Sequence, residues 1–162
     1  MGWNRRGGAV SVGCTAKGYR ESTGVNVRDD YREKPSGLIE LLCKDDIPVH
    51  VQSIAYGDYI INDRVTVERK TARDFLVSIL DGRLFKQIAH LKKHCLRPIL
   101  MIEGNPYRTD LCFDPNDVRR ALVSIQVMWY VPSSFSRSVE ETKDILLMIG
   151  KQDDNDMDVI PT

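Results

Sequence analysis

No run of roughly 18 or more apolar residues occurs in the chain, and its first residues (MGWNRRGGAVSVG) hold no continuous apolar segment. A membrane-spanning helix and a secretory leader are thereby disfavoured, and a cytoplasmic protein with no membrane partner is expected, or a nuclear one in a eukaryote. Paired cysteines are missing too. Cys14, Cys43, Cys95 and Cys112 are scattered without a C-x-x-C, which argues against a zinc ribbon or a disulfide framework and leaves reduced, mostly buried thiols. A basic excess is absent as well, since 23 Lys and Arg balance 23 Asp and Glu. Taken alone, that balance speaks against a nucleic-acid partner. It conceals two opposed ends: residues 1–24 carry Arg5, Arg6, Lys17 and Arg20 against Glu21, and residues 151–162 carry four aspartates against Lys151.

At 162 residues with 42% hydrophobic content, the chain has the size and composition of one domain with one core. Residues 1–24 read as a flexible basic arm, with a short hairpin possible near Ala9 to Cys14, and residues 151–162 as a disordered acidic tail. Between them, residues 25–150 alternate strand and helix signals. Strands are expected at Val25 to Asp29, Val49 to Tyr56, Asp58 to Ile61, Val65 to Lys70, Pro98 to Glu103 and Tyr130 to Phe135. Helices are expected at Leu38 to Lys44, Thr71 to Leu80, Arg83 to Cys95, Asp114 to about Met128, and from Ser138 to near Gly150. The order predicts an α/β protein with a central mixed sheet flanked by helices on both faces.

The informative segment is GDYIINDRVTVERKTARD, residues 57–74. Glu68 and Lys70 are two residues apart on a strand, so they leave one face about 7 Å apart while Arg69 points to the other. Asp58 joins them only if it lies opposite Glu68. That register sets Ile60 against Thr66 and Ile61 against Val65, with Asn62, Asp63 and Arg64 as a three-residue loop. It also gathers Tyr59, Ile61, Val65 and Val67 on the apolar face. Two converging carboxylates suit Mg²⁺, and a lysine beside them suits phosphodiester hydrolysis. A bare D…E-x-K pattern is equally the pattern of a surface ion pair. What distinguishes this one is Asp30-Tyr31-Arg32-Glu33, which brings further carboxylates to the same sheet edge.

Along the helix after this segment, Leu84, Ile88, Leu91 and Cys95 form an apolar stripe. Lys86, His90, Lys93 and Arg97 repeat the same spacing on another face, as a helix tracking a phosphate backbone would, or as a merely solvated face would. His90 and His94 lack the H-E-x-x-H context of a zinc pair.

Taken together, D-x-R-E (Asp30, Arg32, Glu33), G-D-Y (Gly57 to Tyr59), E-R-K-x-x-x-D (Glu68, Arg69, Lys70, Asp74) and G-R-L-F-x-Q (Gly82 to Phe85, Gln87) resemble the nuclease domain of the XPF family, the archaeal Hef nuclease in particular. The resemblance continues through PILMIEG and the final S-x-E-E-T to about Lys151. It implies a restriction-endonuclease-like fold, dependence on Mg²⁺ or Mn²⁺, and incision of branched DNA such as 3′-flaps, forks and splayed arms in repair or recombination. It further implies that Asp58 and Glu68 ligate metal with Glu33 and the Arg69 carbonyl nearby, and that Lys70 serves the water. Asp30, Arg32, Asp74 and Arg83 would support the site or hold phosphate, Arg32 and Asp74 alternatively forming a structural ion pair; apart from the resemblance, Lys86, Gln87, His90 and Lys93 of the following helix are expected to contact DNA. Relatives pair through this domain, and Ile125, Trp129, Ile145, Met148 and Ile149 are expected to supply the apolar surface of a homodimer, the alternative being that they only fill the core. Residues 151–162 can hold neither a helix-hairpin-helix pair nor a helicase, so an additional DNA-recognition partner is expected. Asp29 replaces the apolar residue usual in relatives, which predicts an exposed or shifted first strand. Two alternatives stay open: a catalytically silent DNA-binding subunit, and a restriction-like enzyme acting on plain duplex.

Overall fold

The computed structural model describes residues 26–30, 36–45 and 47–155. The basic arm, Val25, Arg32, Glu33 and residues 156–162 lie outside the described residues.

The strands are β1 (Val27–Asp30), β2 (Val49–Gln52), β3 (Tyr59–Ile61), β4 (Val65–Thr71), β5 (Arg97–Glu103) and β6 (Ser133–Ser136), with branched residues at alternate positions in β2 (Val49, Val51) and in the first half of β4 (Val65, Val67). They form one six-stranded sheet in the order β2-β1-β3-β4-β5-β6. The antiparallel pairs are β1 with β3 and β3 with β4, and the remaining neighbours are parallel. Helices α1 (Leu38–Lys44), α2 (Ala72–Leu80), α3 (Leu84–His94), α4 (Pro115–Val123) and α5 (Val139–Asn155) follow the element order read from the sequence.

Local chemistry fixes the helix starts. Thr71 caps α2 by accepting from the Asp74 amide, and Asp114 caps α4 by accepting from the Asn116 amide at 2.8 Å, with Pro115 at the first position. Ser138 accepts from the Glu141 amide at 3.3 Å ahead of α5.

The sheet is covered on both faces by separate cores. On one face Val27, Tyr59, Ile61, Val65, Val67 and Met101 pack with Leu38 and Leu42 of α1 and Leu146 of α5. On the other, Leu100 and Ile102 of β5 pack with Phe75, Leu84 and Ile88 of α2 and α3 and with Val118 and Leu122 of α4. Each fully buried side chain of this size contributes roughly 1.5–3 kcal/mol. The sheet residues of the second core come from β5 alone. The neighbouring part of that face, over β3 and β4, is where Glu68 and Lys70 stand.

Several expectations need correction. β2 stops at Gln52 rather than Tyr56, with Gln52 opposite Asp30 of β1. Beyond Val123 the helix widens into a π turn, Ser124–Met128, and Tyr130 at φ 53° ends it, so β6 begins at Ser133 and not Tyr130. α5 runs five residues past Gly150, so the first part of the expected acidic tail is helical. The cause is Asp153. This buried carboxylate meets Arg97 Nη1 at 2.8 Å and Arg64 Nε at 3.4 Å, while Asn62 Nδ2 donates to the Gly150 carbonyl at 2.9 Å. Asp29 is 1% exposed and pairs with Tyr59, so the first strand is buried at this position rather than exposed. Cys112 is exposed and Cys43 and Cys95 are half-buried, against the expectation of mostly buried thiols.

Candidate active site

The β3–β4 hairpin has the register required to unite the site. Tyr59 pairs with Val67, Ile60 with Thr66 and Ile61 with Val65, leaving Asn62, Asp63 and Arg64 as the loop. Asn62 and Asp63 both take positive φ, 50° and 60°, and the Arg64 amide closes the turn on the Ile61 carbonyl at 3.0 Å. Asn62 is suited to this conformation and is further fixed by accepting from the Asn26 amide at 2.9 Å.

One step beyond Tyr59, the Asp58 amide donates to the Val67 carbonyl at 2.8 Å and the Asp58 carbonyl accepts from the Asp30 amide at 2.9 Å. Asp58 is therefore tied to both neighbouring strands. Just before it, Gly57 takes φ 77°, and a Cβ there would stand 2.6 Å from Thr66 Cγ2 and 3.0 Å from the Val67 carbonyl oxygen. Only glycine fits that close approach.

Three charged side chains meet on this edge. Glu68 and Lys70 share a face, with Lys70 Nζ 3.3 Å from Glu68 Oε1, and Lys70 is 8% exposed. The Asp58 carboxylate accepts from the Arg69 amide at 2.7 Å. Burial first, and then the charge of Glu68, raise the Asp58 carboxyl from its ordinary 3.8 to about 7; the Arg69 amide and Lys70 oppose the shift and Asp30 adds to it. The Asp58 carboxyl thus feels the charges of Glu68, Lys70 and Asp30. Asp30 is itself buried, at 3% exposure.

Arg69 points to the opposite face, as its parity requires. Its guanidinium makes two bonds to Glu103, at 3.0 and 2.6 Å, and Glu103 accepts from Thr142 Oγ1 at 2.7 Å. This network ties β4, β5 and α5 together behind the site. Sequence reasoning missed it, although Arg and Glu on adjacent strands were a usable signal.

The carboxylates suit a hard divalent cation. Among the described residues no three metal-binding side chains are gathered closely enough to hold an ion by themselves. Mg²⁺ does not require that, because it keeps several waters and uses one or two carboxylates plus phosphate oxygens. A carboxyl raised by burial and by a like-charged neighbour is what such an ion would relieve.

The other expected residues separate into groups. Lys86, Gln87 and His90 line a cavity of about 390 Å³ together with Glu68, so α3 and the acidic edge share one groove. Lys93 is exposed on α3. Arg83 pairs with Asp81 at 2.9 Å. Asp74 accepts from Thr71 Oγ1 at 2.8 Å, completing the cap that starts α2 directly after β4. Arg97 leaves the expected basic stripe: it belongs to β5 and pairs with Asp153. His94 stacks on Tyr56, ring centroids 4.3 Å apart. Of the apolar residues expected at a dimer surface, Ile125 is buried in the second core, Trp129 packs against that core, and Ile145 and Ile149 pack against the first. Met148 is exposed, and Val123, Val127, Met128 and Tyr130 form an exposed apolar run that was not foreseen.

Comparison with known proteins gives this geometry its context. The family model described as the ERCC4 domain matches residues 29–149. A putative ATP-dependent RNA helicase of Methanocaldococcus jannaschii is 38% identical over 105 residues, covering 65% of this chain and 13% of that protein. The 3′-flap repair endonuclease Xpf of Saccharolobus solfataricus is 33% identical over 138 residues, covering 79% of this chain and 55% of that one. Among solved structures, XPF from Aeropyrum pernix in complex with DNA has a TM-score of 0.76 at 25% identity, over 81% of this chain and 66% of its own. The chain therefore spans only part of each of these proteins. The shared fold is the restriction-endonuclease-like one expected. No helix among the described residues is long and apolar enough to cross a membrane.

Proposed function

Because this chain belongs to the ERCC4-domain family of XPF-type proteins, we propose that it is a metal-dependent endonuclease hydrolysing phosphodiester bonds in branched DNA during repair or recombination. The observation that carries the reading is the convergence of Asp58, Glu68 and Lys70 at one sheet edge, with the Asp58 carboxyl pushed up to about 7.

In this reading Asp58 and Glu68 would hold Mg²⁺, or Mn²⁺ in its place, with Glu33 as a further ligand and the Arg69 carbonyl nearby. When bound, the metal polarises the scissile phosphate and lowers the pKa of a water. The protein's own groups do the rest. The Arg69 amide fixes the Asp58 carboxylate in one orientation, and the Glu68 carboxylate holds the Lys70 ammonium within reach of the same space. Lys70 then orients the attacking water or offsets the charge that develops on the phosphate. Asp30 adds negative charge beneath Asp58. Lys86, His90 and Lys93 on α3, with Arg83 and Arg32, attract the phosphate backbone toward an edge that would otherwise repel it.

The branched substrate is supported by the relative that is a 3′-flap repair endonuclease and by the DNA-bound structural neighbour. The test is direct. Purified protein is incubated with labelled linear duplex, 3′-flap and fork DNA, with Mg²⁺ or with EDTA. Cutting of flap and fork in Mg²⁺ alone is expected. Cutting of duplex equally well would favour a restriction-like enzyme, binding without cutting would favour a silent subunit, and cutting that survives Asp58→Ala would reject the site.

A homodimer belongs to the same proposal. The exposed run Val123, Val127, Met128 and Tyr130 is apolar surface of the kind that a symmetric partner covers. Light scattering should give twice the monomer mass, and Val127→Glu with Met128→Glu should halve it. A separate partner for DNA recognition completes the proposal.

A further inference from the structure

Arg69 stands between Glu68 and Lys70 on β4 but faces the other way, so a strand that presents two charged groups on one side can be gripped from the other. Arg69 Nε and Nη2 donate to both oxygens of Glu103, at 3.0 and 2.6 Å, a fork that sets orientation as well as distance. The two side chains are 11% and 15% exposed, so water screens the pair little. Glu103 Oε2 also accepts from Thr142 Oγ1 at 2.7 Å. Thr142 is fully buried and its hydroxyl has one proton to give; the Ser138 carbonyl at 3.1 Å competes for it, and the closer, charged carboxylate takes it. Ser136 Oγ, 2.6 Å from Thr142 Oγ1, is then the donor in that contact. Donors from β4 and from α5 thus converge on one carboxylate of β5.

The catalytic end of β4 needs such a tether. β3 pairs with β4 only as far as Val67, so Glu68 to Thr71 lie in ladder register with β5 alone. On the β3 side the Arg69 amide donates to the Asp58 carboxylate. The Arg69 residue therefore connects the grip behind the sheet to the groups in front: its N–H orients Asp58, and its backbone sets the spacing of Glu68 and Lys70. We propose that Glu103 is a positioning residue for cleavage, holding Arg69 from behind so that Asp58, Glu68 and Lys70 keep their mutual placement, and that Thr142 acts through Glu103. The inference rests on the nuclease reading above.

The test compares single-turnover cutting of a fork in Mg²⁺ with fork affinity in EDTA. Glu103→Gln, close in shape but uncharged, should slow cutting by roughly ten- to hundredfold, the scale of misplacing reacting groups by up to an ångström, with affinity unchanged within about twofold. Thr142→Val, which loses the hydroxyl, should show a smaller fall and carries the test should Glu103→Gln fail to fold; Thr142→Ser should restore the rate. Asp153→Ala, which removes a buried carboxylate at the opposite end of β5, is the control for lost stability and should cut normally. The Arg69 amide proton, followed by NMR in EDTA, should move upfield in Glu103→Gln as its bond to Asp58 lengthens. Normal cutting by Glu103→Gln and Thr142→Val, an equal slowing in Asp153→Ala, a loss of affinity that matches the loss of rate, or an unmoved amide resonance overturns the inference and leaves the nuclease reading intact. Unaltered protein that cuts no fork overturns the nuclease reading; a moved resonance then still supports the grip on Asp58, and an unmoved one overturns that as well.

Discussion

The Arg69 amide donates to the Asp58 carboxylate at 2.7 Å, so the acid on one strand is oriented by the backbone of the next. That bond lowers the Asp58 pKa, yet burial and Glu68 outweigh it and leave the carboxyl near 7. The site is held in a geometry that its own charges resist.

Asp58→Asn should therefore stabilise the metal-free protein while abolishing cleavage. The folded pKa lies above the ordinary 3.8, so below about pH 4 the group is protonated in both states and carries no penalty. As pH rises from about 4 to about 7 the unfolded chain releases the proton first, and folding loses stability. Three units correspond to at most about 4 kcal/mol. Urea melts in EDTA at pH 8 should show the variant more stable, and the difference should vanish near pH 4. A flat difference across that range would contradict the charge argument.

Divalent cation should reverse the same strain. Mg²⁺ or Mn²⁺ at about one hundred times its dissociation constant stabilises by about 2.7 kcal/mol. A rise of several degrees in Tm is expected for the unaltered protein, and little or none for Glu68→Gln or Asp58→Asn. Equal rises in all three would place the ion elsewhere.

Much of this was legible beforehand, and the reasons differ by element. The hairpin register follows from alternation, because a slip of one residue would have put Tyr59, Ile61, Val65 and Val67 in water. Helix α1 has the bounds that apolar spacing sets. What escaped was non-local. Asp153 reads as one aspartate in an acidic tail, and only folding brings Arg64 of the β3–β4 loop and Arg97 of β5 to it. Asp29 is buried although charged, and Ile125, which the periodicity left available for a partner, faces the second core. The groove beside Glu68 also needed the structure, since Tyr56 and Gln87 are 31 positions apart and no period connects them.

Asp153→Ala should destabilise the fold without altering the cleavage centre directly. Its carboxylate is buried, but Arg97 and Arg64 retain access to water, so the loss is expected at about 1–3 kcal/mol. Chemical denaturation gives the value. No change would mean that the last turn of α5 is frayed in solution.

Lys86→Ala and Lys93→Ala should weaken fork binding at low salt. Each lysine that neutralises a phosphate should reduce the slope of log K against log salt by about 0.9. A slope unchanged by Lys93→Ala would confine the DNA path to the cavity half of α3.

Strand alternation in β4 sends Val65 and Val67 into one core and Glu68 and Lys70 to the opposite edge. Chemistry and folding thus draw on different side chains of the same few residues. A duplicated copy could shed its acids one at a time and remain a well-formed protein, even a sturdier one. Such a lineage would reach an inert, shape-preserving subunit by small steps, with no intermediate that fails to fold.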